Sequence, residues 1–154
     1  MAPLLAFTAD EAWENLPGQT VPSVHIAEFP KAVDADNSGL TERWERIFAI
    51  RDEVLKALES ARDDKQIGSS LEAKVVLTTD AATTRQLLDY YDQLRYIFIV
   101  SQVEVHEGNA FAVKIEKADG QKCERCWNYS TRVGEFKKYG SVCERCNEAL
   151  DEIV

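Results

Sequence analysis

Cys123-Glu124-Arg125-Cys126-Trp127 and Cys143-Glu144-Arg145-Cys146 decide the reading of this chain. These two Cys-x-x-Cys pairs hold all 4 of its cysteines. Two thiols three positions apart can grip one metal ion from a tight turn, and two such turns complete a tetrahedron. The spacing falls in the range of a four-cysteine zinc ribbon, and zinc is the usual occupant of four thiolates. Two disulfides, a redox pair and an iron–sulfur centre are the alternatives. Disulfides need an oxidising compartment, and Met1-Ala2-Pro3 has neither the basic flank nor the apolar core of a secretory signal. A redox Cys-x-x-Cys usually stands alone at the start of a helix after a strand. Four thiolates leave no open coordination position, so the expected cofactor is one structural zinc ion and not a catalytic one.

The 154 residues allow one ordinary core, or a small domain with a metal-stapled appendage. The longest apolar run, Tyr96-Ile97-Phe98-Ile99-Val100, is far too short to span a bilayer. Its β-branched and aromatic residues predict a buried strand. A net charge of −9 argues against a protein that coats nucleic acid generally. The charge is uneven. Residues 1–113 hold 10 Lys/Arg against 19 Asp/Glu, whereas 114–146 hold 8 against 5. Contact with a polyanion is therefore expected in the cysteine module.

Thr8 and Glu11 have the spacing of a capping box, which predicts a short helix over 9–16 with Trp13 and Leu16 on its apolar face. Pro17-Gly18 should end it. Residues 17–39 hold three of the 4 prolines and read as an irregular connector anchored by Val24, Ile26 and Phe29. His25 has no second ligand near it and is read as packed or exposed. Leu40, Trp44, Ile47, Val54, Leu55 and Leu58 recur at helical spacing and predict one amphipathic helix over 40–63. A strand is expected over 72–78. Ser69 and Glu72 imitate a capping box there, but β-branched residues follow too soon for a helix. Thr79 or Asp80 should cap a second helix over 81–94. Strands over 96–105 and 111–117, joined by the turn Glu107-Gly108-Asn109, should form a hairpin, with His106 exposed beside it. The fold class is α+β: residues 1–39 a helical end and connector, 40–118 a long helix with a small α+β unit, 119–154 the zinc ribbon. In so small a ribbon some of Trp127, Tyr129, Phe136 and Tyr139 must cover the metal. A closing helix after Cys146 should pack back through Ala149 and Leu150.

Pro3-Leu4-Leu5-Ala6-Phe7-Thr8-Ala9-Asp10-Glu11-Ala12-Trp13 resembles the end of the anticodon-binding helical domain of isoleucyl-tRNA synthetases. Ser23-Val24-His25 with Phe29-Pro30 resembles the connector that follows there. Lys65-Gln66-Ile67-Gly68-Ser69-Ser70-Leu71-Glu72-Ala73 is similar to that family's K-x-I-G-x-S-L-E-A stretch, and the Cys-x-Arg-Cys-Trp and Cys-x-Arg-Cys motifs look like its C-terminal zinc module. The resemblance implies a fragment of a class I ligase that activates isoleucine with ATP and loads it onto tRNA. The catalytic His-Ile-Gly-His-like and Lys-Met-Ser-Lys-Ser-like motifs are not in this chain, so no catalytic residue is assigned to it. The resemblance further implies tRNA(Ile) and the remaining synthetase domains, in cis, as partners, a cytoplasmic location, and no membrane or DNA partner. It makes Cys123, Cys126, Cys143 and Cys146 the zinc ligands.

Recognition of unpaired RNA uses aromatic stacking and Arg/Lys contacts to phosphate. That chemistry nominates Arg125, Trp127, Arg132, Lys137, Lys138, Tyr139 and Arg145. Lys137 and Lys138, on an expected loop, lead the set, while Trp127 could equally cover the metal. Two rivals remain. Formamidopyrimidine-DNA glycosylases end in a similar ribbon but need a Pro-Glu N-terminus, and here Pro3 precedes Leu4. A free-standing zinc-ribbon adaptor that binds a protein partner would suit the acidic 1–113 surface.

Overall fold

The computed structural model of the protein describes residues 1–31 and 38–152. The chain divides into two compact units, Met1–Asn37 and Ser38–Val154.

In the first unit, helix α1 spans Ala6–Glu14. It starts earlier than the capping box predicts and ends before Leu16. The amides of Leu4 and Leu5 both bond to the Met1 carbonyl, at 2.9 and 3.0 Å. That turn makes Leu5 the N-cap and leaves Thr8 inside the helix, so no side chain caps it. Trp13 donates Nε1–H to the Val21 carbonyl at 2.8 Å, and Leu16 is exposed. Asp10 accepts from Ser23 Oγ at 2.6 Å and from the Val24 amide at 3.1 Å, which ties the 3₁₀ turn Val24–Ile26 to α1. His25 is exposed, its Nε2 3.2 Å from the Ala6 carbonyl.

The second unit opens with α2, Ser38–Asp63. Ile47, Val54, Leu58 and Ala61 bury one stripe of it, as the helical period requires. The predicted members Leu40 and Trp44 lie outside that buried set. Trp44 instead packs on Phe48 and Tyr90, with ring centroids 5.5 and 5.6 Å apart. After a 3₁₀ turn at Ser70–Glu72 comes strand β1, Ala73–Thr79, whose alternate residues Ala73, Val75, Leu77 and Thr79 are buried. The false capping box keeps half of its chemistry: Glu72 Oε2 accepts the Gly68 amide at 2.8 Å, and Ser69 caps nothing.

Asp80 caps α3, Ala81–Leu88, by accepting the amides of Ala82 and Thr83. The predicted single helix breaks there, and α4 follows as Tyr91–Phe98. This corrects the strand expected over 96–105. Leu94 and Phe98, four apart, are both fully buried on one helical face, and Ile99 closes the helix in a left-handed conformation at φ 58°. A short apolar run fills a core equally well as strand or helix, so its composition cannot decide between them. Strand β2 is Gln102–Glu107 and β3 is Ala112–Lys117.

The expected hairpin does not form. The sheet order is β2-β1-β3, with β2 parallel and β3 antiparallel to β1. Val75 faces Val103 on one side and Ile115 on the other. The β-branched β1 takes the centre, and α3 and α4 make the crossover that a parallel pair requires. His106 lies exposed within β2 and not in a turn. Val54, Leu58, Leu77, Leu87, Leu94 and Phe98 form the heart of one core beneath this sheet. Each such fully buried side chain contributes about 1.5–3 kcal/mol.

Candidate metal centre and the surface around it

Strands β4, Gln121–Lys122, and β5, Tyr129–Ser130, pair as a minimal hairpin whose loop is the first cysteine turn. Gly120 lets β4 enter it: its φ is 88°, and a Cβ there would lie 2.3 Å from the Ser130 carbonyl carbon. The Cys123 amide bonds to the Asn128 carbonyl at 2.8 Å, and the Trp127 amide bonds back to the Cys123 carbonyl at 2.9 Å. Closing that turn puts Trp127 at φ 66°, a conformation rare for a bulky L-residue. The second turn delivers Cys143 as the N-cap of α5, Glu144–Asp151, so Cys146 lies within the helix and not before it.

The four sulfurs lie within 4.8 Å of one another. Cys126 Sγ and Cys143 Sγ are 3.6 Å apart, close to the roughly 3.8 Å edge of a tetrahedron with 2.3 Å metal–sulfur bonds. Cys123, Cys143 and Cys146 are buried, and Cys126 is partly so. The Cys143 amide points at Cys123 Sγ at 3.3 Å, and Arg125 Nη1 donates to Cys146 Sγ at 3.6 Å. Burial resists ionisation of Cys126, but hydrogen bonds from Asn128 outweigh it and bring its pKa down to about 6. Burial and the neighbouring sulfurs push Cys143 up to about 12. Thiols this close cannot all ionise unaided. A divalent soft cation is what lets four negative sulfurs share one site, so the donor set and its geometry fit zinc.

Val133 and Val142 are buried in one cluster with Cys123, Cys143 and Cys146, and Tyr139 and Leu150 pack against that cluster. Tyr139 is thus an aromatic that packs on the cysteine cluster, with Lys138 Nζ 5.0 Å from its ring centroid. Trp127 is not: it is 61% exposed, with Lys122 Nζ 5.4 Å from its ring centroid. Of the other nominated residues, Arg132 is paired with Glu135 at 2.9 Å and Lys138 with Asp151 at 3.2 Å. Lys137 is exposed. Arg145 projects from α5 to Tyr96 of α4, its guanidinium 5.8 Å from the ring centroid. Lys122, Arg95 and Tyr96 were missed by sequence reasoning. Lys122 adjoins Cys123 and could have been found, while Tyr96 fell in the expected strand and Arg95 in the gap before it, so their shared helix α4 was not foreseen. The ribbon is docked on the α+β body by Ser101, 4% exposed, whose Oγ donates to the Leu71 carbonyl and accepts the Tyr129 amide.

Residues 1–77 match the family described as the anticodon-binding domain of tRNA ligase. The chain belongs to that family. Residues 120–148 match a second family, the zinc finger found in FPG and IleRS. The isoleucine–tRNA ligase of Syntrophotalea carbinolica is 44% identical over 164 residues, covering 99% of this chain and 18% of that protein. The isoleucine–tRNA ligase of Staphylococcus haemolyticus is 42% identical over 162 residues, covering 100% of this chain and 18% of that protein. The chain therefore spans 18% of the length of these curated relatives. The glycosylase rival accounts only for the zinc-finger match, whereas the ligase resemblance runs the length of the chain. No helix among the described residues is long and apolar enough to cross a membrane.

Proposed function

We propose that this chain is the tRNA-binding C-terminal part of an isoleucine–tRNA ligase. It holds the anticodon side of tRNA(Ile) while a catalytic domain outside this sequence activates isoleucine with ATP and charges the tRNA in the cytoplasm. The observation that carries the reading is similarity to isoleucine–tRNA ligases over 99% of the chain, joined to a four-sulfur centre. One zinc ion, held by Cys123, Cys126, Cys143 and Cys146, staples the ribbon, and its chemistry there is structural. Residues 1–39 serve as the end of the helical domain, 40–118 as the α+β body and 119–154 as the ribbon. Leu4, Phe7 and Phe29 are 89%, 92% and 82% exposed, and the reading gives them the other ligase domains as cover.

Trp127 supports the RNA role. A bulky residue held at positive φ and left exposed gains nothing from packing, which points to function. With Lys122 beside it, it offers a base a stacking face and a phosphate a cation. Lys137 adds a charge with no ion pair among the described residues. Arg132 and Lys138 spend theirs on Glu135 and Asp151, Tyr139 packs on the small core of the ribbon, and Arg125 answers Cys146. Lys137→Ala, made in the complete ligase, tests this. Charging of tRNA(Ile) should fall while isoleucine-dependent ATP–pyrophosphate exchange stays near normal. Unchanged tRNA affinity would remove the ribbon loop from the RNA interface.

A further inference from the structure

A cavity of about 640 Å³ lies between α4 and β2 and is lined by Tyr91, Arg95, Tyr96, Ser101 and Gln102 among others. At its edge two guanidiniums from separate elements converge on one phenol. Arg95 Nη2 donates to Tyr96 Oη at 2.7 Å, and Arg145 Nη1 reaches the same oxygen at 3.5 Å. Their guanidinium carbons stand 4.8 and 5.8 Å from the Tyr96 ring centroid. Among the described residues neither arginine is paired with a carboxylate, and Arg145 also reaches the Cys126 sulfur, which leaves its remaining N–H groups for Tyr96 and solvent. Glu144 feels the charge of Arg95 but gives its carboxylate to Ser130 Oγ at 2.8 Å. Asp92 lines the cavity as the one carboxylate of its wall.

The donor count decides the chemistry. Tyr96 Oη already receives N–H from both arginines, so its own O–H is left to donate. No acceptor among the described residues takes it. Two guanidiniums and one hydroxyl present donors at one point of a chain whose net charge is −9. Such a set matches an oxyanion, and arginine is the side chain best shaped for phosphate oxygens. Tyr96 is 51% exposed and open to an extended ligand.

We propose that Arg95, Tyr96 and Arg145 bind a phosphodiester group of the tRNA. The inference rests on the tRNA-binding reading above and carries the RNA contact from the ribbon onto α4. Arg145 joins the two, since it belongs to the second cysteine turn and faces the α4 residues.

The test uses the full chain with zinc bound and, as the probe, the anticodon stem–loop of tRNA(Ile), titrated over a salt series. Tyr96→Phe keeps the ring and removes only the hydroxyl, so folding is preserved. It should weaken binding about tenfold, the scale of a hydrogen bond to a charged group, and leave the salt slope unchanged. Arg95→Gln should weaken binding by a similar factor and flatten the log–log salt slope by about 0.7–0.9. Unchanged affinity in both variants, while Trp127→Ala or Lys137→Ala still weakens the complex, overturns this site and leaves the tRNA reading standing. No RNA binding by the unaltered chain overturns both. Inorganic phosphate that binds with an affinity sensitive to Arg95→Gln, alongside RNA binding that is not, assigns the site to a free anion and overturns the phosphodiester.

Discussion

Cys143→Ser should unfold the ribbon and leave the α+β body standing. Serine suits an N-cap at least as well as cysteine, so the substitution removes a metal bond without harming the start of α5. The apolar core around the sulfurs is small. Val133 and Val142 are 9% and 7% exposed, and Tyr139 and Leu150 are only partly buried. Two valines at about 1.5–3 kcal/mol each, with smaller contributions from the other two side chains, supply roughly 5–8 kcal/mol. A four-thiolate zinc site supplies about 10–16 kcal/mol, so metal binding outweighs apolar burial in holding the ribbon together. Hydrogen exchange read by mass spectrometry is the assay. In the variant, or after chelation, the amides of Cys123, Trp127 and Asn147 should exchange as in an unfolded chain, because their acceptors lie within the ribbon. Amides of β1 and of the middle of α2 should stay protected, since Val54, Leu58, Val75 and Leu77 belong to the other core. Persistent protection at Cys123 and Trp127 without metal would show that the ribbon folds without its ion.

X-ray absorption should show four sulfurs at about 2.3 Å around zinc, with one zinc per chain by elemental analysis; a mixed nitrogen–sulfur shell would contradict the ligand set. Phe98→Ala should destabilise the second unit by about 3–5 kcal/mol in denaturant unfolding, because Phe98 is fully buried. Asp80 and Glu116 are held below their ordinary pKa values of 3.8 and 4.5, Asp80 chiefly by Thr83 and Glu116 chiefly by Lys114. Depressed carboxyls stabilise the fold above their unfolded pKa and lose that contribution as pH falls through the folded one. The melting temperature should therefore drop as pH falls from 5 towards 3, values about the ordinary carboxylate range, and Asp80→Asn, which can still cap α3, should show a shallower drop.

The cysteine spacing made the four-sulfur cluster legible because each turn brings its own two sulfurs. The stripe of α2 and the alternation of β1 were legible for the same reason, since period alone sets which residues are buried. Strand pairing was not. Nothing near Gln102 or Ala112 says that both strands seek Val75 and not each other. The run Tyr96–Val100 is apolar because it closes a core, which says nothing of helix or strand, so the helix that Arg95 and Tyr96 share was not legible. The start of α1 was lost to a preceding turn at Met1 that no capping pattern encodes. Trp127 was ambiguous because its exposure follows from a positive φ imposed by the cysteine turn.

The proposed recognition of tRNA through a zinc-stapled ribbon is tested at its root by equilibrium binding of tRNA(Ile), and of a tRNA with a different anticodon, to the zinc-loaded chain. Binding should weaken steeply with salt, favour tRNA(Ile), and be lost when chelation unfolds the ribbon. Equal affinity for both tRNAs, or binding indifferent to zinc, would contradict that role.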